Sequence, residues 1–335
     1  MSRIAVMGGG AWGTAIALSL ARRGGHEITL WTHSPEVAAD IRARGENAAF
    51  LSGFRLPSEI TVTSNASEPL TSAEIVVSVM PSHHVRASYE RFAPHLRPGQ
   101  LLVSATKGIE DQTYLRISEV IGDALRPYNL GLSYGVLSGP SFAQEVAAGA
   151  PTAVTIASND ARLAAQVQRE FSSASLRLYT NDDVVGVELG GALKNVIAIA
   201  VGIVAGLELG SNSTAALITR GVAEVTRLAV ACGGRRETLA GLSGLGDLVL
   251  TCTGALSRNR WVGMELGKGR ALPEIIADLH GKVAEGVRTT SAVLGLAKRH
   301  GVEMPIAEQV QAILHAGKHP RQAMQELMSR PGRDE

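Results

Sequence analysis

A glycine-rich turn between a short apolar run and a helical segment constrains this chain more than any other feature. Residues 8–13 read GGGAWG, which places glycines at the three positions of the pattern G-x-G-x-x-G. The run at 3–7 is apolar and strand-like, and residues 12–23 have helical periodicity. In that context the first glycine permits a tight turn, the second lets a pyrophosphate approach the backbone, and the third lets helix and strand pack closely. An ordinary β–α turn is the alternative, but the flanking strand and helix favour a dinucleotide site.

Strand-like and helical segments alternate through the first half of the chain. Strands are predicted at residues 3–7, 26–31, 60–63, 75–80, 101–105, 132–137, 153–157 and 176–179. Such alternation predicts an α/β fold whose mainly parallel, doubly wound sheet is covered by helices on both faces. After about residue 182 the segments are helical, including 189–206 and 213–232. We therefore expect a Rossmann domain over residues 1–185 and an all-α C-terminal domain over residues 186–335.

Composition argues against several classes of protein. The formal net charge of +1 lacks the basic excess that nucleic-acid binders usually show. The two cysteines, Cys232 and Cys252, fit a reducing compartment rather than a disulfide scaffold. The most apolar segment, residues 196–207, falls short of the ~18 apolar residues that a membrane span needs. We expect a cytoplasmic protein in which that segment is a buried helix.

Two lysines lie where chemistry is expected. Lys194 interrupts a segment made of Gly, Ala, Val, Ile and Leu. A lysine in such surroundings is seldom buried without a task or a partner, and desolvation lowers its pKa towards the range that suits proton transfer. The alternative is a lysine whose head reaches water. Lys107 follows the strand at 101–105, at the edge where open α/β sheets bind ligands, although a solvated surface lysine would look the same.

The second half holds further polar candidates. Asp247 stands in a glycine-rich stretch, where a turn is the plain local interpretation. Ser257 is a good N-cap, and a helix start followed by Arg258 makes an anion site. A basic patch on a helix surface is the alternative, and we prefer it for Arg260. No metal site is expected, because the adjacent histidines at 83 and 84 have no Cys or acidic partner at zinc spacing.

Several motifs, in order along the chain, resemble those of glycerol-3-phosphate dehydrogenases. The segments are GPSFAQE at 139–145, GALKN at 191–195, GLGD at 244–247 and SRNR at 257–260. The bacterial, NAD(P)-dependent members are most similar. The resemblance implies reversible interconversion of dihydroxyacetone phosphate and sn-glycerol 3-phosphate, which supplies phospholipid synthesis. It also implies a homodimer, with the nicotinamide in the cleft between the two domains.

The resemblance also implies roles for single residues, with Lys194 as the general acid and base. The implied substrate-binding residues are Lys107, Gly139, Ser141, Lys194, Asp247, Ser257, Arg258 and Asn259. The cofactor-binding residues, from the glycine pattern, the end of the second strand and the resemblance together, are Gly8, Gly10, Ala11, Trp12, Gly13, His33, Lys107, Ala143, Arg258, Val283 and Glu285. Thr251 is a weaker candidate for the substrate site.

The end of the second strand bears on the choice between NAD and NADP. In NAD-specific Rossmann domains an acidic residue there binds the ribose 2′-hydroxyl, but here no acidic residue follows residue 31 until Glu36. His33 and Ser34 can donate hydrogen bonds to a 2′-phosphate. We therefore expect NADP or NAD to be used, with NADPH modestly favoured. If His33 instead stacks on adenine or faces solvent, the two cofactors become nearly equal.

Two other functions are compatible with parts of the pattern. Another two-domain dehydrogenase, acting on a hydroxy acid or a sugar acid, has a similar build, and only the resemblance of SRNR and Lys194 argues against it. A cofactor-sensing binding protein without turnover is the second alternative. That alternative leaves the lysine in an apolar helix without an explanation.

Overall fold

A computed structural model describes residues 1–279, 281 and 283–332. The chain divides into two compact units. The first contains Met1–Lys107 and Leu115–Glu188, and the second contains Gly108–Tyr114 and Leu189–Glu335. The predicted boundary at residues 185 and 186 falls within the helix Val184–Gly206.

The first unit is built on a sheet whose strand order is β3-β2-β1-β4-β5-β6-β7-β8. The strands are β1 Ser2–Met7, β2 His26–Trp31, β3 Ile60–Thr63, β4 Ile75–Ser78, β5 Leu101–Ser104, β6 Ser133–Ser138, β7 Thr152–Ala157 and β8 Leu176–Asn181. The helices are α1 Ala11–Arg23, α2 Pro35–Arg44, α3 Ser67–Ser72, α4 Val85–Phe92, α5 Ile117–Leu125, α6 Ala143–Ala148 and α7 Ala161–Phe171. Strands β6 and β7 run antiparallel, and the other neighbouring strands are parallel. The predicted Rossmann-type sheet is confirmed, although β4 ends two residues earlier than expected.

Burial on both faces explains why the strands read as apolar runs. In β1, Ile4 and Val6 belong to one core cluster, whereas Ala5 and Met7 belong to another. Successive side chains point to opposite faces, so the two clusters lie on the two sides of the sheet. The carboxyl ends of β1, β2, β4, β5 and β6 therefore meet at one edge, where the glycine-rich turn follows β1, His33 follows β2 and Lys107 follows β5.

The second unit is helical. The long helix α8, Val184–Gly206, leads into α9 Gly210–Ala231, α10 Arg236–Ala240, α11 Asp247–Thr253, α12 Arg258–Gly267, α13 Leu272–Ala277, α14 Glu285–His300, α15 Pro305–His315 and α16 Pro320–Met328. A π-helical turn, Leu242–Gly246, precedes α11. Helix α8 is long and apolar enough to cross a membrane, but 89 % of its most apolar stretch is buried inside the protein. The predicted buried helix is confirmed.

Glycines let α8 and α12 pack with their backbones in contact. A Cβ at Gly202 would lie 2.1 Å from the carbonyl oxygen of Arg260, and one at Gly263 would lie 2.0 Å from that of Ile199. No side chain can occupy such a space, so both positions require glycine. The crossing holds α12 against the helix that carries Lys194.

Replacement of Gly263 by alanine tests this crossing. We expect Gly263→Ala to lower the free energy of unfolding by about 1–3 kcal/mol, the usual cost of overpacking. The measurement is thermal or urea unfolding followed by circular dichroism. Gly122→Ala is the matched control, because Gly122 lies in helix α5 and a Cβ there meets nothing within 4 Å. Equal stability of the two variants would contradict the proposed need for glycine at 263.

Candidate functional site

The glycine-rich turn has a different steric requirement at each glycine. Gly8 has φ 146°, and a Cβ there would lie 1.7 Å from the carbonyl oxygen of Val79. A Cβ at Gly13 would lie 1.9 Å from the carbonyl oxygen of Gly8. Gly10 has φ −78°, and its Cβ would meet nothing within 4 Å. The open side at Gly10, beside the first helical residues Ala11 and Trp12, fits a pyrophosphate on a helix N-terminus.

The turn after β2 lies beside the glycines, and Glu36 follows it in the first turn of α2. Thr32 packs against Gly9, and His33 is exposed. Ser34 caps α2 by accepting from the Val37 N–H at 3.1 Å, and its hydroxyl donates to Glu36 Oε2 at 2.6 Å. That hydrogen bond lowers the pKa of Glu36. The Ser34 hydroxyl therefore donates to a carboxylate in this structure, and its donation to a 2′-phosphate stays a prediction.

Strands β5 and β6 bring three predicted substrate residues together. The Lys107 ammonium lies 3.4 Å from the carbonyl oxygen of Gly139, and the Ser141 hydroxyl donates to the same oxygen at 2.9 Å. Gly139 has φ 140°, which favours glycine at this bend. Ala143 follows as the first residue of α6. The cluster offers a cation and a hydroxyl at the carboxyl edge of the sheet.

Lys194 is buried against a carboxylate and a hydroxyl. Its side chain is 9 % exposed and donates to Asp247 Oδ1, and to Thr251 Oγ1 at 2.9 Å. The Thr251 hydroxyl in turn donates to the backbone oxygen of Asp247 at 2.6 Å. The turn interpretation of Asp247 was wrong: the residue begins α11, so Asp247 and Thr251 stand one helical turn apart. Burial raises the pKa of the neighbouring Cys252 thiol to about 12, which keeps the thiol protonated.

A second polar cluster lies next to Lys194 along α8. The Asn259 amide donates to Asn195 Oδ1 at 2.9 Å, and Asn195 donates to Glu285 Oε2 at 3.3 Å. Gly286 N–H donates to Asn259 Oδ1 at 2.9 Å. These contacts bring the predicted residues Asn259 and Glu285 together. Asn195 was missed by the sequence reasoning, although a second buried polar residue beside Lys194 was a usable signal.

The remaining predicted residues differ in their surroundings. Ser257 is buried and caps α12 by accepting from the Arg260 N–H at 3.2 Å, whereas Arg258 is exposed. Val283 is half-buried, and the adjacent Lys282 lies outside the described residues. Over the described ranges, no group of three or more His, Cys, Asp or Glu residues is placed to hold a metal ion.

Each unit therefore presents a distinct chemistry. The first offers a glycine-rich turn, a helix N-terminus and the cluster around Lys107. The second offers a buried ammonium that is held by a carboxylate and can donate a proton, with an exposed guanidinium at a capped helix start. An ammonium screened from bulk water by apolar helices is suited to general acid catalysis.

Two family models match most of the chain. One, described as the N-terminus of NAD-dependent glycerol-3-phosphate dehydrogenase, matches residues 3–164, and another, described as the C-terminus, matches residues 183–325. A glycerol-3-phosphate dehydrogenase (NAD(P)+) of Acidobacterium capsulatum is 68 % identical, with 100 % of both chains covered. The enzyme of the same description from Koribacter versatilis is 62 % identical, with 100 % of this chain and 99 % of its relative covered. The crystal structure of glycerol-3-phosphate dehydrogenase from Coxiella burnetii is similar with a TM-score of 0.93 at 40 % identity, covering 98 % of this chain and 99 % of the other.

The open side of Gly10 leads to a test of the dinucleotide site. Gly10→Ala should fold as the wild type does, because its φ is ordinary and its Cβ meets nothing. The added methyl would occupy the approach of the pyrophosphate, so we expect the Kd for NADPH to rise at least about tenfold. Calorimetric titration with NADPH measures the affinity, and thermal unfolding without ligand is the control. Unchanged affinity in the folded variant would place the pyrophosphate elsewhere.

Proposed function

Because the chain belongs to the NAD-dependent glycerol-3-phosphate dehydrogenase family and is therefore an oxidoreductase that uses NAD or NADP, we propose that it interconverts dihydroxyacetone phosphate and sn-glycerol 3-phosphate with Lys194 as general acid and base. The observation that carries this proposal is the buried hydrogen-bonded group of Lys194, Asp247 and Thr251. It explains a charge in an apolar helix, which a cofactor-binding protein without turnover does not.

Lys194 handles the proton of the reaction. In reduction its ammonium donates a proton to the carbonyl oxygen while that oxygen gains negative charge. In oxidation the neutral amine accepts the proton of the substrate hydroxyl, and the Asp247 carboxylate stabilises the ammonium that forms. Asp247 and Thr251 also fix the direction of the amine, because each occupies one of its donors.

The substrate's phosphate has a suitable partner in Arg258. This guanidinium is exposed at the first residue of α12, beside the capping Ser257. A helix N-terminus with a guanidinium favours a dianionic phosphate. Asn259, oriented by Asn195, anchors the substrate further, and Lys107 with Gly139 and Ser141 adds positive charge and a hydroxyl for the reacting end.

In this proposal the glycine-rich turn and neighbouring residues of the first unit would hold the cofactor, with Glu285 and Val283 as further contacts. When bound, the reduced nicotinamide supplies the hydride. Gly8 and Gly13 close the turn, Gly10, Ala11 and Trp12 would present their backbone to the pyrophosphate, and His33 would lie near the ribose. Ala143 and Arg258 complete the proposed contacts.

The cellular setting follows from the same proposal. We infer a cytoplasmic homodimer that supplies glycerol 3-phosphate to phospholipid synthesis. Within the described residues neither Cys232 nor Cys252 forms a disulfide, as expected in a reducing compartment.

Removal of the lysine amine tests the proton-transfer role. We expect Lys194→Ala to lower kcat at least about a hundredfold, because an acid–base group is lost. NADPH absorbance with dihydroxyacetone phosphate measures kcat, and calorimetry checks that NADPH still binds. Lys268→Ala is the matched control, since Lys268 forms a surface ion pair with Glu265 in the same unit. Turnover near that of the wild type in folded Lys194→Ala would remove the residue from the mechanism.

Charge near the turn after β2 should set the cofactor preference. We expect wild type to favour NADPH modestly, and His33→Asp to shift kcat/KM towards NADH by adding repulsion against the 2′-phosphate. Glu36→Gln removes an exposed charge and should raise the NADPH-to-NADH ratio by about two- to fivefold, as for a screened surface charge. Both cofactors are measured at one pH and ionic strength.

Glu27→Gln controls for net charge, because Glu27 is an exposed carboxylate at the opposite end of the same strand. Unchanged ratios in His33→Asp and Glu36→Gln would place the ribose away from this turn. A wild type that turns over NADH alone would contradict the assignment of NADP as a cofactor.

A further inference from the structure

The glycine-rich turn is held from inside the protein by Asn47. This residue is fully buried, and its amide nitrogen donates to the Gly9 carbonyl oxygen at 2.8 Å and to Thr14 Oγ1 at 2.8 Å. The Gly9 oxygen can only accept, so the amide must present its nitrogen. Its own oxygen is buried and accepts no hydrogen bond from the described part of the chain. Burying an amide oxygen without a hydrogen bond is unfavourable. The two hydrogen bonds that the Asn47 amide nitrogen donates must therefore offset this desolvation cost.

We propose that Asn47 is a positioning residue for the cofactor, because it sets the orientation of the Gly9–Gly10 peptide. A peptide unit is planar and trans, so the Gly10 N–H points opposite to the Gly9 carbonyl. Holding that carbonyl towards the buried amide therefore turns the Gly10 N–H away from Asn47. The space that a Cβ would enter at Gly10 is open as well. Glycine on both sides of the peptide leaves it free to rotate without such a contact.

Asn47 is not required to hold its own loop. Glu46 and Arg55 form an antiparallel bridge that closes the loop, and Leu51 is buried in the core of the first unit. The backbone carbonyl of Asn47, rather than its side chain, accepts from Leu51 N–H at 2.8 Å. The side chain is therefore free to serve the glycine-rich turn and α1, which carries Thr14.

This inference rests on the proposed placement of the pyrophosphate at Gly10. The test compares Asn47→Asp, which keeps the shape but offers a carboxylate to the Gly9 carbonyl, with Thr14→Val, which removes the other acceptor alone. We expect Asn47→Asp to raise the Kd for NADPH at least about tenfold, and Thr14→Val to keep it within about threefold, because only the first variant breaks the bond to Gly9. Calorimetry with NADPH and thermal unfolding without ligand are measured for both.

The kinetic readout separates positioning from general loss of structure. In Asn47→Asp, KM for NADPH should rise while KM for dihydroxyacetone phosphate stays near that of the wild type. If both variants lose stability and neither loses affinity, Asn47 has a structural role only and the inference is overturned. Asn47→Ser, which is smaller and neutral, replaces the aspartate variant if the latter does not fold, with the same thresholds.

Gly10→Ala separates this inference from the proposed site itself. Loss of NADPH affinity in Gly10→Ala with unchanged affinity in Asn47→Asp would overturn the role of Asn47 alone. Unchanged affinity in Gly10→Ala would overturn the placement of the pyrophosphate, whatever the Asn47 variants do.

Discussion

The ion pair between Lys194 and Asp247 is the interaction on which the helical unit depends. An ammonium buried among apolar side chains without a partner costs several kcal/mol, so α8 and α11 must stay in register for the charge to be tolerated. The pair is extended by Thr251 and, one residue along α8, by the cluster of Asn195, Asn259 and Glu285. Polar groups thus tie α8 to α11, α12 and α14 around a single lysine. The same contacts that make the charge tolerable also fix the direction of the Lys194 amine.

In both units, glycines allow backbone segments to pack in direct contact. Aromatic residues make up 4 % of the chain, while glycine occurs 37 times. In the first unit Gly8 and Gly13 remove the side chains that would separate β1, α1 and the end of β4. In the second unit Gly202 and Gly263 do the same for α8 and α12. Glycines therefore permit the close packing of strands and helices that positions the polar side chains.

Much of the fold could be predicted because buried parallel strands read as apolar runs and because a lysine in an apolar helix stands out. Asp247 was misassigned locally, since the glycines at 241, 244 and 246 look like a turn, whereas residues 242–246 form a π-helical turn that continues into α11. The contact of Glu36 with Ser34 depends on side-chain rotamers, which sequence does not reveal. Asn47 reaches a backbone oxygen 38 residues away, and nothing in its neighbourhood marks it as buried.

The buried thiol beside the lysine has a consequence for oxidative stress. Oxidants and alkylating agents attack the thiolate, and burial raises the pKa of Cys252 to about 12, so the thiol stays protonated near neutral pH. Cys252 fills space next to Lys194 as a small apolar group would. Cys252 can therefore lie beside Lys194 and still be a poor target for peroxide.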